Sequence, residues 1–388
     1  MKKEYKSCDF SKGQFNCRNI IVFMNIKKYL WTWTFLVPIL AWLSYVGNTV
    51  FSSGYYSVIL ALFLMGSVLA AVYHSEVIAH RLGEPFGTLL LAFAITVIEV
   101  GLIISIMMGA KGLETITLAR DTVFAAVMII LTGIIGSCIV IGSLRYREQS
   151  FTLQGVSTAL ITLTSVIIFV LILPNYTISH LGGEYTSFQL LFIALISLGL
   201  YLGFTMIQTF RHRSFFISPE NKLSKNQPVQ DNHELISRKQ LYISCILLLL
   251  SLGIVVLLAK LLSKDVEHIV VSAGAPKSLV GIIIAGIVLL PEGLAAFRAA
   301  KSDQIQTSLN LAFGSALASI GLSIPAIAII SVMTGIRMTL GIDIKSTILL
   351  GLSLFIITVS LATGRTNIMQ GIVLIAIFLI YLFITIVP

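Results

Sequence analysis

Two apolar stretches decide how this chain folds: FGTLLLAFAITVIEVGLIISIMM at residues 86–108 and SLVGIIIAGIVLLPEGLAAF at residues 278–297. Each is long enough to cross the hydrocarbon core of a bilayer, which takes about 20 mostly apolar residues as an α-helix. Each also carries one carboxylate near its middle, Glu99 and Glu292. A charged side chain at that depth costs roughly 2.5–3.5 kcal/mol even on a lenient insertion scale. Two of them at similar depth, one in each half of the chain, point to a shared cation or proton site.

Outward from this pair the rest of the chain reads the same way. Mean hydropathy is +0.97, 57% of residues are hydrophobic and only 11% are charged, which excludes a soluble globular protein. Eleven segments meet the length and polarity of a span: 31–51, 56–75, 86–108, 122–144, 153–173, 187–210, 241–262, 277–298, 306–334, 346–363 and 367–387. Glycines, serines and threonines scattered inside them suit close helix packing in lipid. The first 30 residues hold seven Lys or Arg and no small-residue cleavage site, so a cleavable leader is not expected, and Met24 offers an alternative start.

Positive charge orients the chain. With the N-terminus in the cytoplasm, 19 of the 26 Lys and Arg fall in inside loops, which predicts an inside N-terminus and an extracytoplasmic C-terminus. The net charge of +9 is then a matter of topology. No basic patch interleaved with aromatics appears, so nucleic acid is not an expected partner. Cys8, Cys17, Cys138 and Cys245 show no metal-ligand spacing.

The polar stretch RHRSFFISPENKLSKNQPVQDNHELISRK at 211–239 divides the spans six and five. Setting the first aside leaves five and five, and an odd number of crossings turns the second set over relative to the first. The expected fold is therefore an all-α membrane protein of about eleven transmembrane helices, one N-terminal helix plus two inverted five-helix repeats. Its parts are a cytoplasmic tail at 1–30, a first helix at 31–51, a first repeat at 52–210, a cytoplasmic linker at 211–240 and a second repeat at 241–388. Glu99 lies about 13 residues into its span and Glu292 about 15 into its own, so both reach the midplane from opposite directions. That is the layout of an inverted-repeat secondary transporter, with its ion site at the repeat interface.

A hard cation asks for oxygen ligands. Thr96 stands one turn before Glu99 on the same face. Pro291 has no N–H and crowds the carbonyl four residues back, so the Ile287 carbonyl is expected to be free beside Glu292. The helix after Glu292 offers Ser308, Asn310, Ser315 and Ser319; the helix after Glu99 offers chiefly Thr132 and Ser137. The candidate ligand set is Glu99, Glu292, Thr96, Asn310, Ser315, Ser319, Thr132 and the Ile287 carbonyl. His74, Glu76, His80 and Glu84 cluster before the Glu99 span and read as a solvated face, or else as an ion entrance.

The segments GEPFGTLLLAFAITVIEVGLI (83–103), LARDTVFAAVMIILTGIIGS (118–137) and LLPEGLAAFRAAKSDQIQTSLNLAFGSALASIGLSIP (289–325) resemble the two alpha-repeats of cation/proton exchangers. These belong to the calcium/cation antiporter superfamily, and the branch most similar is the bacterial ChaA-type calcium or sodium/proton antiporters. Many exchangers of that branch carry Gly-Asn four and three positions before the essential Glu. Here those positions hold Ile95 and Thr96, then Val288 and Leu289, which removes an amide ligand on each side.

The resemblance implies a secondary antiporter in a bacterial cytoplasmic (inner) membrane, with no permanently bound cofactor and no enzymatic activity. It would exchange Ca2+, or else Na+ or K+, for protons. No GxxxxGK[ST] loop is present to drive a primary pump, and no HExxH or GxSxG to build a hydrolase. A cation channel is the other class, set apart by flux far above transporter turnover. Association into a homo-oligomer stays open.

Overall fold

The computed structural model describes residues 33–47, 54–82, 94, 96–101, 103–104, 117–179, 182–216, 238–272, 274, 276, 278–335 and 338–387. The tail at 1–30 with Cys8 and Cys17, the body of the central linker at 217–237, and Glu84 lie outside the described residues, and so does the His80 side chain.

Among the described residues the protein is an all-α bundle of eleven helices. They are α1 (Trp33–Gly47), α2 (Gly54–Leu82), α3 (the helix around Glu99, described over 96–101 and at 94, 103 and 104), α4 (Ala119–Tyr146), α5 (Leu153–Tyr176), α6 (Ser187–Arg211), α7 (Arg238–Ser272), α8 (Ser278–Lys301), α9 (Ile305–Thr334), α10 (Ile344–Leu361) and α11 (Ile368–Ile386). Nine of those described are long and apolar enough to span a membrane. Outward faces carry Leu43, Leu62, Ile161, Phe188, Leu249 and Phe383, the residue types that face lipid.

Helix ends follow local chemistry. Thr186 opens α6 and Asn367 opens α11 with capping boxes, each paired with a Gln three residues on. Gly335, in the left-handed region at φ 71°, ends α9. Pro291 stays inside α8 and Pro325 inside α9, tolerated because neighbouring helices surround both.

Packing repeats with the two halves exchanged. Counting α2–α6 against α7–α11, α2 packs on its own counterpart α7. Helix α4 packs on α11, and its counterpart α9 packs on α6. Both of these contacts close on glycine. Gly136 and Gly371 meet backbone to backbone between α4 and α11, and Gly321 of α9 lies against Tyr201 of α6.

The loops repeat the pattern. The α4–α5 loop forms strand β1 (Gln149–Ser150), antiparallel to β2 (Arg365–Thr366) in the α10–α11 loop. The equivalent pair, the α9–α10 and α5–α6 loops, meets through the antiparallel bridge Thr339–Glu184. There Leu340 N and Gly341 N donate to the Gly183 carbonyl, Ile342 N donates to Leu171 O, and Asn175 Nδ2 donates to Ile342 O. Five crossings per half put these two ties at opposite ends of the bundle.

The reading of the His74 cluster as a solvated face holds for Glu76, which is exposed, and is corrected for His74. His74 is fully buried, with Nδ1 3.4 Å from Ser244 Oγ of α7 and Nε2 3.4 Å from the Thr34 carbonyl of α1. Helix α1 covers that face of α2, where Val37 fills the space beside Gly66.

Candidate functional site

Glu99 is buried, 6% exposed, and its partners come from the other repeat. Ser319 Oγ donates to Oε1 at 2.6 Å and Ser323 Oγ donates to Oε2 at 2.8 Å, both from α9. Ser315, Ser319 and Ser323 recur every four residues and so stand on one face of α9.

Glu292 differs sharply. Both of its carboxylate oxygens are shielded from solvent, and neither has a hydrogen-bond partner among the described residues. Buried polar groups are almost always satisfied, and a buried carboxylate without a partner is costly, which sets Glu292 apart as a candidate for the site. The two carboxylates lie within electrostatic reach of each other.

A small cavity adjoins Glu99, about 10 Å³ to water-sized contents, lined by Glu99, Thr122, Ala126, Ile284, Ala285, Val288, Leu289, Ser315 and Ser319. That is room for about one water or one bare ion. The α8 residues in the lining come one to two turns before Glu292. Toward the end where α4, α8 and α10 begin, a wider vestibule of about 200 Å³ is lined by Arg120, Asp121, Phe124, Asp343, Lys345 and Tyr381 among others. Asp121 of the vestibule and Thr122 of the cavity are neighbours along α4. In the vestibule wall Arg120 Nε donates to Asp121 Oδ1 at 2.8 Å, and its Nη1 donates to the Gly341 carbonyl at 3.0 Å.

The structure brings Glu99, Ser315 and Ser319 together around the cavity. Thr96 is buried one turn before Glu99 but lies outside the cavity lining. Ile287 is half-buried in α8, one turn before Pro291.

Two candidates are corrected. Asn310 is committed elsewhere: its Nδ2 donates to the Phe216 carbonyl at 2.7 Å, and its Oδ1 accepts from Gln306 Nε2 at 3.0 Å. It sits nine residues before Ser319, about 13 Å along the helix axis. Thr132 turns its hydroxyl back to the Met128 carbonyl inside a π-helical turn of α4 (Ile129–Ile134), and reaches neither carboxylate.

Ser323 and Thr122 were missed. Ser323 had a signal, its place one turn beyond Ser319. Thr122 had none, since nothing in LARDT distinguishes it from a helix-start residue.

With this geometry in place, comparison with known proteins decides the family. The sequence model described as "Sodium/calcium exchanger protein" matches residues 52–210 and 243–387. The chain is a member of the sodium/calcium exchanger family. The exchanger is 45% identical over 326 residues to y4hA of Sinorhizobium fredii, whose name is that of an ionic transporter, covering 84% of this chain and 87% of that one. It is 33% identical over 320 residues to the sodium-potassium/proton antiporter ChaA of Escherichia coli, covering 82% and 85%.

Two solved structures share the fold at a TM-score of 0.67. They are native YfkE (19% identity, 92% of this chain and 100% of that one) and the H+/Ca2+ exchanger CAX (16% identity, 92% and 88%). The exchanger is thus an integral membrane transporter of cations and not an enzyme.

Proposed function

We propose that this exchanger moves Ca2+ out of the cytoplasm against inward protons by alternating access, with Glu99 and Glu292 as the groups that hold cation and protons in turn. The observation that carries this is Glu292, whose two oxygens are buried without a partner among the described residues, within electrostatic reach of Glu99, a second buried carboxylate that lines an ion-sized cavity. Two carboxylates neutralise one divalent cation, and in a water-poor site the charge left uncompensated by a monovalent ion is expensive. Ser315 and Ser319, which line the cavity, supply neutral oxygens, and the Ile287 carbonyl and Thr96, outside the lining, are further candidates. Because cation and protons compete for the same oxygens, loading one expels the other, which couples the two fluxes without ATP.

A second reading, Na+ or K+ in place of Ca2+, is favoured by the likeness to a sodium-potassium/proton antiporter and by the small number of neutral oxygens, since Ca2+ takes six to eight ligands. Cation-dependent proton flux in everted vesicles, with Ca2+, Na+ and K+ added separately, divides the readings. The expected result is Ca2+ exchange at the lowest apparent Km, with Na+ exchange rising at alkaline pH. A parent protein that moves Na+ or K+ and leaves Ca2+ untouched would overturn the Ca2+ assignment.

We propose that the chain lies in the cytoplasmic membrane of a bacterium with its N-terminus inside. Single cysteines at Asn226 and after Val387, positions outside the described residues or at their edge, should react with an impermeant thiol reagent from the cytoplasmic and the outer side respectively. Reaction of both from one side would break the odd count of crossings, and with it the shared depth of the two glutamates.

A further inference from the structure

We infer that Ser323 is a positioning residue: it pins Glu99 Oε2 from behind so that Oε1, shared with Ser319, is the oxygen presented to the transported cation. This rests on the two-glutamate site proposed above. Hydroxyls on these helices ordinarily bond back one turn. Thr158 donates to Gln154 O, Ser165 to Ile161 O, Thr205 to Tyr201 O, Ser353 to Leu349 O and Thr358 to Leu354 O. Ser319 and Ser323 depart from that habit and reach across to α3 instead, one hydroxyl for each oxygen of a single carboxylate.

Their surroundings differ. Ser319 lines the cavity beside Glu99; Ser323, fully buried, stands outside it. A carboxylate held at both oxygens cannot turn about its terminal bond, so the cation meets a fixed acceptor in place of a rotating one. The arrangement also ties the glutamate of one repeat to the helix that follows the glutamate of the other. Ser323 does not line the cavity and its hydroxyl bonds Glu99, which does, so the residue acts through Glu99.

The test compares Ser323→Ala with Ser308→Ala, a second buried serine of α9 far from the cavity, and with Glu99→Gln, all as full-length chains in everted vesicles. Ca2+-driven proton flux is normalised to inserted protein. Losing a hydrogen bond to a charged group should raise the apparent Km of Ser323→Ala about tenfold, with the maximal rate held within about twofold. Ser308→Ala should keep the parent Km.

A Ser323→Ala variant with the parent Km, whatever its maximal rate, would overturn the inference. So would an equal rise in Ser308→Ala, which would mark a general loosening of α9. Exchange that survives Glu99→Gln would sink the two-glutamate site itself. Exchange lost in Glu99→Gln beside an unchanged Km in Ser323→Ala would sink only the role of Ser323.

Discussion

Glu292→Gln, and separately Glu99→Gln, is expected to bring cation-driven proton exchange down to background while leaving the protein inserted at parent levels. The amide keeps the shape of the side chain and removes the charge that binds cation and proton alike. At Glu99 the two serines can adapt, because a hydroxyl that donated to a carboxylate oxygen can accept from the amide N–H. At Glu292 no partner is lost, since the described residues supply none. Inactivity would therefore report lost chemistry and not lost folding. The parent should show the matching pH signature: raising pH on the loading side removes the competing proton and lowers the apparent Km for the cation. Substantial exchange in either variant, measured by dye-reported proton flux in everted vesicles, would remove that glutamate from the site.

The sequence carried the membrane class and the spans, and it singled out the two glutamates as candidates, because hydropathy and an isolated charge are local signals that no tertiary partner can disguise. It also carried Ser315 and Ser319, through their four-residue step. What it could not carry was pairing. The serines that follow Glu292 along the chain serve Glu99, and only the exchanged packing of the two repeats dictates that choice. Asn310 failed for the same reason: a carbonyl at Phe216, 94 residues away in sequence, takes its amide. His74 looked solvated because its cover is α1, a helix that the two-repeat pattern itself does not require. Thr132 reads as an oxygen donor in any helical wheel, yet its hydroxyl closes on the carbonyl one turn back, as hydroxyls on these helices ordinarily do.

Gly321→Ala should be the more damaging of the two glycine-to-alanine changes in α9. Gly321 lies between Ser319 and Ser323, where α9 crosses α6. A Cβ there would fall 2.6 Å from Tyr201 Cβ and 3.2 Å from its Cγ. A Cβ on a packed helix cannot swing aside as a side-chain tip can, so the two helices must separate by several tenths of an ångström. Overpacking of this kind costs about 1–3 kcal/mol. The separation also moves the two serines whose hydroxyls hold Glu99, and hydrogen bonds of 2.6 and 2.8 Å have little slack to absorb it. Stability and cation affinity should therefore fall together.

Gly314→Ala supplies the control. It sits on the same helix with nothing within 4 Å of its added Cβ, and alanine is the better helix former, so it should be neutral or mildly stabilising. Thermal unfolding of the detergent-solubilised variants and apparent Km in vesicles together measure the contrast. Equal melting temperatures for the two variants would mean that the α6–α9 crossing is looser than its geometry states. A destabilised Gly321→Ala that kept the parent Km would show that α9 positions its serines independently of α6.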